Sequence, residues 1–256
     1  MFVSSAKEIG KMEIYSEQEA QKHEARAGLE KWEAIAKVYL WFALGLGITG
    51  IMAIGYPYLM LSLLGDSENA ATAYLVSLAV FAVLYIPLGL ATSFASLAKN
   101  PTWITVFYIL YAVVMGGLIS SVSLYLDAAT IMYAVLVSAG IFLVMGLLGV
   151  WTKGKMAGAL IYMVALALGL SIISVFNIFL FGNATMYWIV SVICLLVFMI
   201  MAGVDTNRVV QNAESHAFDD NQTMTIYAAY SLYSDFVIIF LYIIRFLAVI
   251  AASKKN

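Results

Sequence analysis

The sequence predicts an all-α, polytopic membrane protein built as a bundle of seven transmembrane helices. Three observations predict it. Hydrophobic residues make up 64% of the 256-residue chain and charged residues only 11%, whereas soluble domains average roughly 45–50% apolar and about 25% charged. Seven apolar runs occur, and each meets the requirement of about 20 residues for a helix that crosses hydrocarbon with its backbone hydrogen bonds satisfied internally. The gaps between the runs are short and polar.

Residues 1–37 form a polar arm that carries 13 of the 28 charged residues. Ser16-Glu17-Gln18-Glu19 reads as a capping box, with Glu19 reaching back to Ser16. An exposed cytoplasmic helix is therefore expected to start there and run into the first span; a partner-binding arm is the alternative. So polar a beginning is unlike a secretory signal. The membrane domain covers 38–250, with runs at 38–64, 72–98, 103–126, 128–151, 157–180, 186–206 and 225–250, and 251–256 form a short polar tail. The separating gaps are Asp66-Ser67-Glu68-Asn69, Lys99-Asn100-Pro101, Asp127, Thr152-Lys153-Gly154-Lys155, Gly182-Asn183, and the longer polar stretch 207–223. Trp41, Trp103, Trp151, Tyr187 and Trp188 lie near run ends, where aromatic rings favour the headgroup level. Pro87 is expected to kink the second run. Gly146 with Gly149, or Gly154 with Gly158, offers a close helix approach.

Lysine and arginine set the orientation. Ten of the thirteen fall on the side of the N-terminus, among them Lys99, Lys153, Lys155 and Arg208. Lys254 and Lys255 fall on the other side if the last run crosses completely. This bias places the N-terminus in the cytoplasm. Seven-helix receptors have the opposite orientation, and a retinal protein needs a lysine inside its last span, whereas every lysine here lies outside the apolar runs. The net charge of −2 gives no electrostatic reason for a nucleic-acid partner. Cys194 is alone, and His23 and His216 have no companions at ligand spacing, so neither a disulfide nor a zinc site is expected. Phosphate-binding, dinucleotide, nucleophile-elbow and zinc-protease motifs do not occur.

Ionisable groups inside a span are costly and mark function. Three occur: Asp205, Asp235 and Arg245. Asp205 ends the sixth run, with Arg208 at i+3 on the same face, which by itself reads as an interfacial ion pair. Asp235 lies about 16 Å into the seventh run, with Ser231 and Tyr242 on its face. Arg245 is about 15 Å further along and out of reach; its expected role is an anchor that snorkels to the far interface. Asp235 thus needs a partner from another helix, and the antiparallel sixth and seventh runs can bring it to Asp205. Two such carboxyls would share one proton and titrate as a pair, so rising pH would add charge and favour separation, a cation or a basic partner. The run boundaries leave Asp205 nearer the interface than Asp235, so the pair meets only if the last span starts later or tilts. Asn177 and Asn183 read as helix-end hydrogen-bonding groups.

At these residues the chain resembles the Bax-inhibitor family, in particular its bacterial-type members carrying the transmembrane Bax inhibitor motif. The resemblance rests on Ser174-Val175-Phe176-Asn177-Ile178-Phe179, on Asp205-Thr206-Asn207-Arg208, and on Ser231-Leu232-Tyr233-Ser234-Asp235-Phe236 through Tyr242-Ile243-Ile244-Arg245-Phe246-Leu247. It covers residues 155–250 most closely. It implies a last helix surrounded by the other six, and a calcium leak gated by pH through a pair of aspartates, matched here by Asp205 and Asp235. It also implies a basic partner near the start of the third span, for which Lys99 is the nearest candidate; Arg208 and Arg245 are the other candidate basic partners, on the last two runs.

The expected function is a pH-sensitive leak channel or transporter for Ca²⁺, with calcium or protons as its small partners and the lipid bilayer of a bacterial inner membrane as its setting. No resident cofactor is expected. Asp205 and Asp235 alone make a poor calcium site, because Ca²⁺ takes six to eight oxygens, so any contact there is transient. The second reading is a regulatory protein that modulates a membrane-anchored protease through the polar arm. No enzyme is expected: intramembrane aspartyl proteases carry a GxGD motif, and Asp235 follows Leu232-Tyr233-Ser234 instead.

Overall fold

The computed structural model describes residues 2–65, 68–152, 157–176, 184–219 and 221–253. Among them every regular element is helical: α1 (Phe2–Leu64), α2 (Glu68–Leu97), α3 (Pro101–Ser120), α4 (Ala128–Trp151), α5 (Leu160–Phe176), α6 (Ala184–Glu214) and α7 (Gln222–Ser253), with 3₁₀ turns at Ser121–Leu124 and Ala157–Ala159. Among the described residues six helices are long and apolar enough to cross a membrane, namely α1 to α4, α6 and α7. Helix α5, with 17 residues, is about 26 Å long, just short of a hydrocarbon core of about 30 Å.

Local chemistry explains the helix limits. Asn100 caps α3 by accepting from the amides of Thr102 and Trp103, with Pro101 in the first turn, where a missing N–H costs nothing. Asp127 caps α4. Its Oδ2 accepts from the Thr130 amide at 3.1 Å and its Oδ1 from the Thr130 hydroxyl at 2.7 Å, and these bonds hold its carboxyl below the usual carboxylate range. Helices α1 and α2 continue through Pro57 and Pro87.

The arm differs from expectation. The helix begins at Phe2, not at Ser16, which lies inside it. Residues 2–15 contain no proline and several strong helix formers, so nothing stops the helix from extending back past the Ser16 box. The helix then runs without a break through residues 37 and 38 into the first span. What changes there is the surroundings, since the same helix passes from polar to apolar.

Helix α7 packs against α1, α2, α3, α4 and α6. One cluster joins Val38 of α1, Phe142 of α4, Ala202 and Val209 of α6, and Leu232 and Ile239 of α7. A second joins Ile104, Tyr108 and Tyr111 of α3 to Ile226, Tyr233 and Val237 of α7. Outward-facing leucines and valines such as Leu75, Val83, Leu136 and Leu143 are exposed, as a surface solvated by lipid chains requires. Glycines set the closest crossings. A Cβ on Gly149 would collide with the carbonyl oxygen of Gly203, and Gly146 sits beside Thr206, so this pair is where α4 meets α6. Of the alternative pair, Gly158 faces open space and Gly154 lies outside the described residues, as do Lys153, Lys155, Asn177, Asn183, Lys254 and Lys255.

Candidate functional site

Helices α6 and α7 form an antiparallel hairpin whose turn spans 215–221. Helix α6 runs on to Glu214, eight residues beyond the apolar run, and α7 already starts at Gln222. Counted from the middle of this turn, Asp205 and Ser231 stand at the same level, and Asp235 one helical turn deeper. This narrows the mismatch left by the hydrophobic boundaries to one turn, because α6 extends past its apolar run; α7 starts earlier than its own run and not later.

The two carboxyl groups meet. Asp205 is 5% exposed and Asp235 3%, and each interacts directly with the other. The Ser231 hydroxyl donates to Asp205 Oδ2. Asp205 Oδ1 and Asp235 Oδ2 are buried without a hydrogen bond, a costly condition in a low-dielectric interior. On the turn side, Arg208 Nη1 lies 3.6 Å from Asp205 Oδ1, and the arginine side chain is partly exposed while that of Asp205 is not. A cavity of about 160 Å³ reaches this corner, lined by Asp205, Arg208, Asn212, Tyr227 and Ser231. Val209, Met224 and Ala228 complete its lining, so the opening toward Asp205 from the turn is polar at Asp205, Arg208, Asn212 and Ser231 and otherwise largely apolar.

The two helices are held in register from outside the pair. Tyr233 is two residues from Asp235 and therefore faces away from it. The Thr49 hydroxyl donates to the Ala112 carbonyl at 3.0 Å, which leaves Tyr233 as the donor in its 2.6 Å bond to Thr49. Tyr230 donates to the Gly89 carbonyl at 3.3 Å, and Tyr108 to the Trp41 carbonyl at 3.0 Å. Tyrosine hydroxyls thus tie α7 to α1 and α2, and α3 to α1. On α6, the buried Asn207 donates to the Gly149 carbonyl at 2.7 Å and to Thr152 Oγ1 at 3.3 Å, and accepts from Gln211 at 2.7 Å. This fastens α6 to the end of α4 and leaves Asp205, two residues earlier, turned toward α7.

Of the residues singled out in the sequence, Asp205, Asp235 and Arg208 come together, with Ser231. Arg245 does not join them: its guanidinium lies 3.7 Å from the centre of the Tyr187 ring, beside the stacked Trp188 and Phe246. Lys99 is exposed in the turn between α2 and α3, at a left-handed φ of 52°. Among the described residues no third histidine, cysteine, aspartate or glutamate joins the pair as a metal ligand. Sequence reasoning missed Asn207 and the Thr49–Tyr233 bond. The signal for Asn207 was faint, a carboxamide just past an apolar run, and a threonine in the first run gave none.

Comparison with known proteins places this arrangement in context. Residues 31–252 match the family model described as "Inhibitor of apoptosis-promoting Bax1". The inner membrane protein YbhL of Escherichia coli strain K12 is 28% identical over 225 residues, covering 86% of this chain and 92% of that protein. A membrane protein of Streptococcus pyogenes serotype M3 is 27% identical over 215 residues, 82% of this chain and 90% of its own. A Borreliella burgdorferi protein is 26% identical over 208 residues, 78% and 89% of the two chains.

Proposed function

The chain belongs to the Bax inhibitor family of membrane proteins, and from that premise we propose that it is a pH-sensitive leak pathway for cations, Ca²⁺ among them, gated by the Asp205–Asp235 pair. The observation that carries this reading is the burial of two carboxyl groups against each other between the last two helices. Two carboxyls in such contact hold a proton as a unit. When that proton leaves, two like charges face each other in a low-dielectric interior. The helices then relieve the repulsion by moving apart or by admitting a cation. Arg208 supplies the nearest countercharge, and the cavity beside it the nearest approach for an ion. The carboxyls in this reading bind and release ions and protons and break no covalent bond.

The leak pathway has seven crossings, with α5 as the short one and α7 at the centre. Its N-terminus and the α6–α7 turn lie in the cytoplasm of a bacterial cell, and the bundle sits in the inner membrane. The positive-charge bias supports the orientation, and the packing of α7 against five other helices supports its place.

Calcium flux into liposomes holding the purified protein, scanned from about pH 5 to 8, tests the proposal. The expected outcome is a pH-dependent leak that both Asp205→Asn and Asp235→Asn alter and flatten. A folded wild type that does not leak at any pH sinks it. In that event a second reading takes over, regulation of a membrane-anchored protease. The long helical arm, whose described side chains ahead of Ala34 are exposed or half-buried, favours it as the contact. Deleting residues 1–30 would then abolish the effect on the partner.

A further inference from the structure

Helix α1 does more than lead into its span. Between Lys31 and Val38 it lies along the end of α6 and the turn to α7. Lys31 Nζ donates to Glu214 Oε1 at 2.6 Å. Ala34, Ile35 and Val38 are buried in one cluster with Val209, Val210, Ala213 and Phe218. Beside this seam runs a polar cavity of about 360 Å³, lined by Glu30, Glu33, Lys37, Phe218 and Asp219. Among the described residues the contact is therefore a short apolar strip closed by one ion pair, with a polar flank. Lys37 pairs along its own helix with Glu33 at 2.9 Å and does not tie the two parts together.

The seam touches the segment that carries the candidate site. Glu214 lies nine residues beyond Asp205 on α6, about 14 Å along the axis, and Val209 and Val210 follow Arg208 directly. Helix α1 is unbroken from Phe2 to Leu64, so the arm, the seam and the first span form one continuous rod. A pull on the arm is carried to the seam and not absorbed by a hinge.

We propose that residues 31–38 of α1 act as a clasp that holds the α6–α7 hairpin closed over the Asp205–Asp235 pair, with the arm as the handle that releases it. This rests on the leak-pathway reading, since it assigns the regulation of that same site. The clasp lets an event outside the membrane act on a pair of carboxyls within it. Separating the seam frees the end of α6, and with it the register that keeps Asp205 against Ser231 and Asp235.

The test uses full-length protein in lipid bilayers and two readouts, backbone hydrogen exchange over residues 205–221 and the rate of Ca²⁺ leak. Lys31→Glu and Glu214→Lys each break the ion pair, and the double variant restores it in reverse. A partly exposed pair changes an equilibrium by no more than about five-fold, so each single variant is expected to raise both readouts by up to that factor. The double variant is expected to bring both back toward wild type. Ile35→Asp, which puts a charge into the apolar strip, should have a larger effect than either. Unchanged exchange in the single variants, or a double variant no closer to wild type than they are, overturns the clasp. Exchange that follows this pattern while a leaking wild type and its variants leak alike overturns its role as a gate. Exchange that follows the pattern in a protein that never leaks leaves the clasp standing and sinks the leak pathway instead.

Discussion

At the scale of single residues, the site depends on which polar groups are given a partner. Asp205 has three, the Ser231 hydroxyl, the Arg208 guanidinium and Asp235; Asp235 has Asp205. Arg208 is the more replaceable, because its side chain is partly exposed and such a pair contributes little to stability. Its weight falls on the charge balance of the cavity. Arg208→Gln is therefore expected to leave the fold intact, within about 1 kcal/mol by denaturant unfolding, and to raise cation flux several-fold at neutral pH. Arg208→Lys should stay near wild type, since it keeps the charge. Equal flux in the arginine and glutamine forms would remove Arg208 from the gate. Asp205 and Asp235 were legible in the sequence because a carboxylate inside an apolar run stands out. Asn207 was not, because a buried carboxamide and a solvated one look the same until α4 is laid against it.

At the scale of helices, close approach decides stability. Gly149 and Gly140 belong to the same helix, yet their surroundings are opposite. A methyl group on Gly149 would run into the backbone oxygen of Gly203, while nothing lies within 4 Å of one on Gly140. Gly140→Ala should accordingly be neutral or stabilising by up to about 1 kcal/mol, the helix-propensity gain. Gly149→Ala should cost about 1–3 kcal/mol, as overpacking does, and should loosen the Asn207 bonds that hold α6. Thermal unfolding of both variants in the same detergent checks the contrast; equal midpoints would contradict the crossing. The sequence pointed to both glycine pairs, at 146 and 149 and at 154 and 158, without choosing, because spacing alone does not say which neighbour a helix face meets. Helix α4 is the opposite case. Its bounds agree with its apolar run residue for residue, since Asp127 caps one end and Thr152 the other.

At the scale of the whole molecule, the lysine and arginine bias is the argument for the orientation proposed above. Labelling of single cysteines in a variant lacking Cys194 tests it. Lys22→Cys and Ser215→Cys are expected to react with a membrane-impermeant thiol reagent from the cytoplasmic side, and Lys254→Cys from the opposite side. Reaction of all three from one side would mean that the chain crosses an even number of times. Hydrophobicity by itself determined the membrane class, the positions of six spans and the presence of charge in the last two apolar runs, because burial in lipid demands long apolar helices and penalises every exception. It did not determine where the helices end. Helix α6 runs past its apolar run as a polar helix and α1 begins far ahead of its own, and hydropathy cannot see a helix that continues into water. Only the tertiary structure decided that Asp205 and Asp235 meet, that Arg245 goes to Tyr187 instead, and that the arm rests on the hairpin. Those outcomes depend on the rotation and level of one helix against another, which are set by long-range packing at Gly149, Asn207 and Tyr233 and are written in no local stretch of the chain.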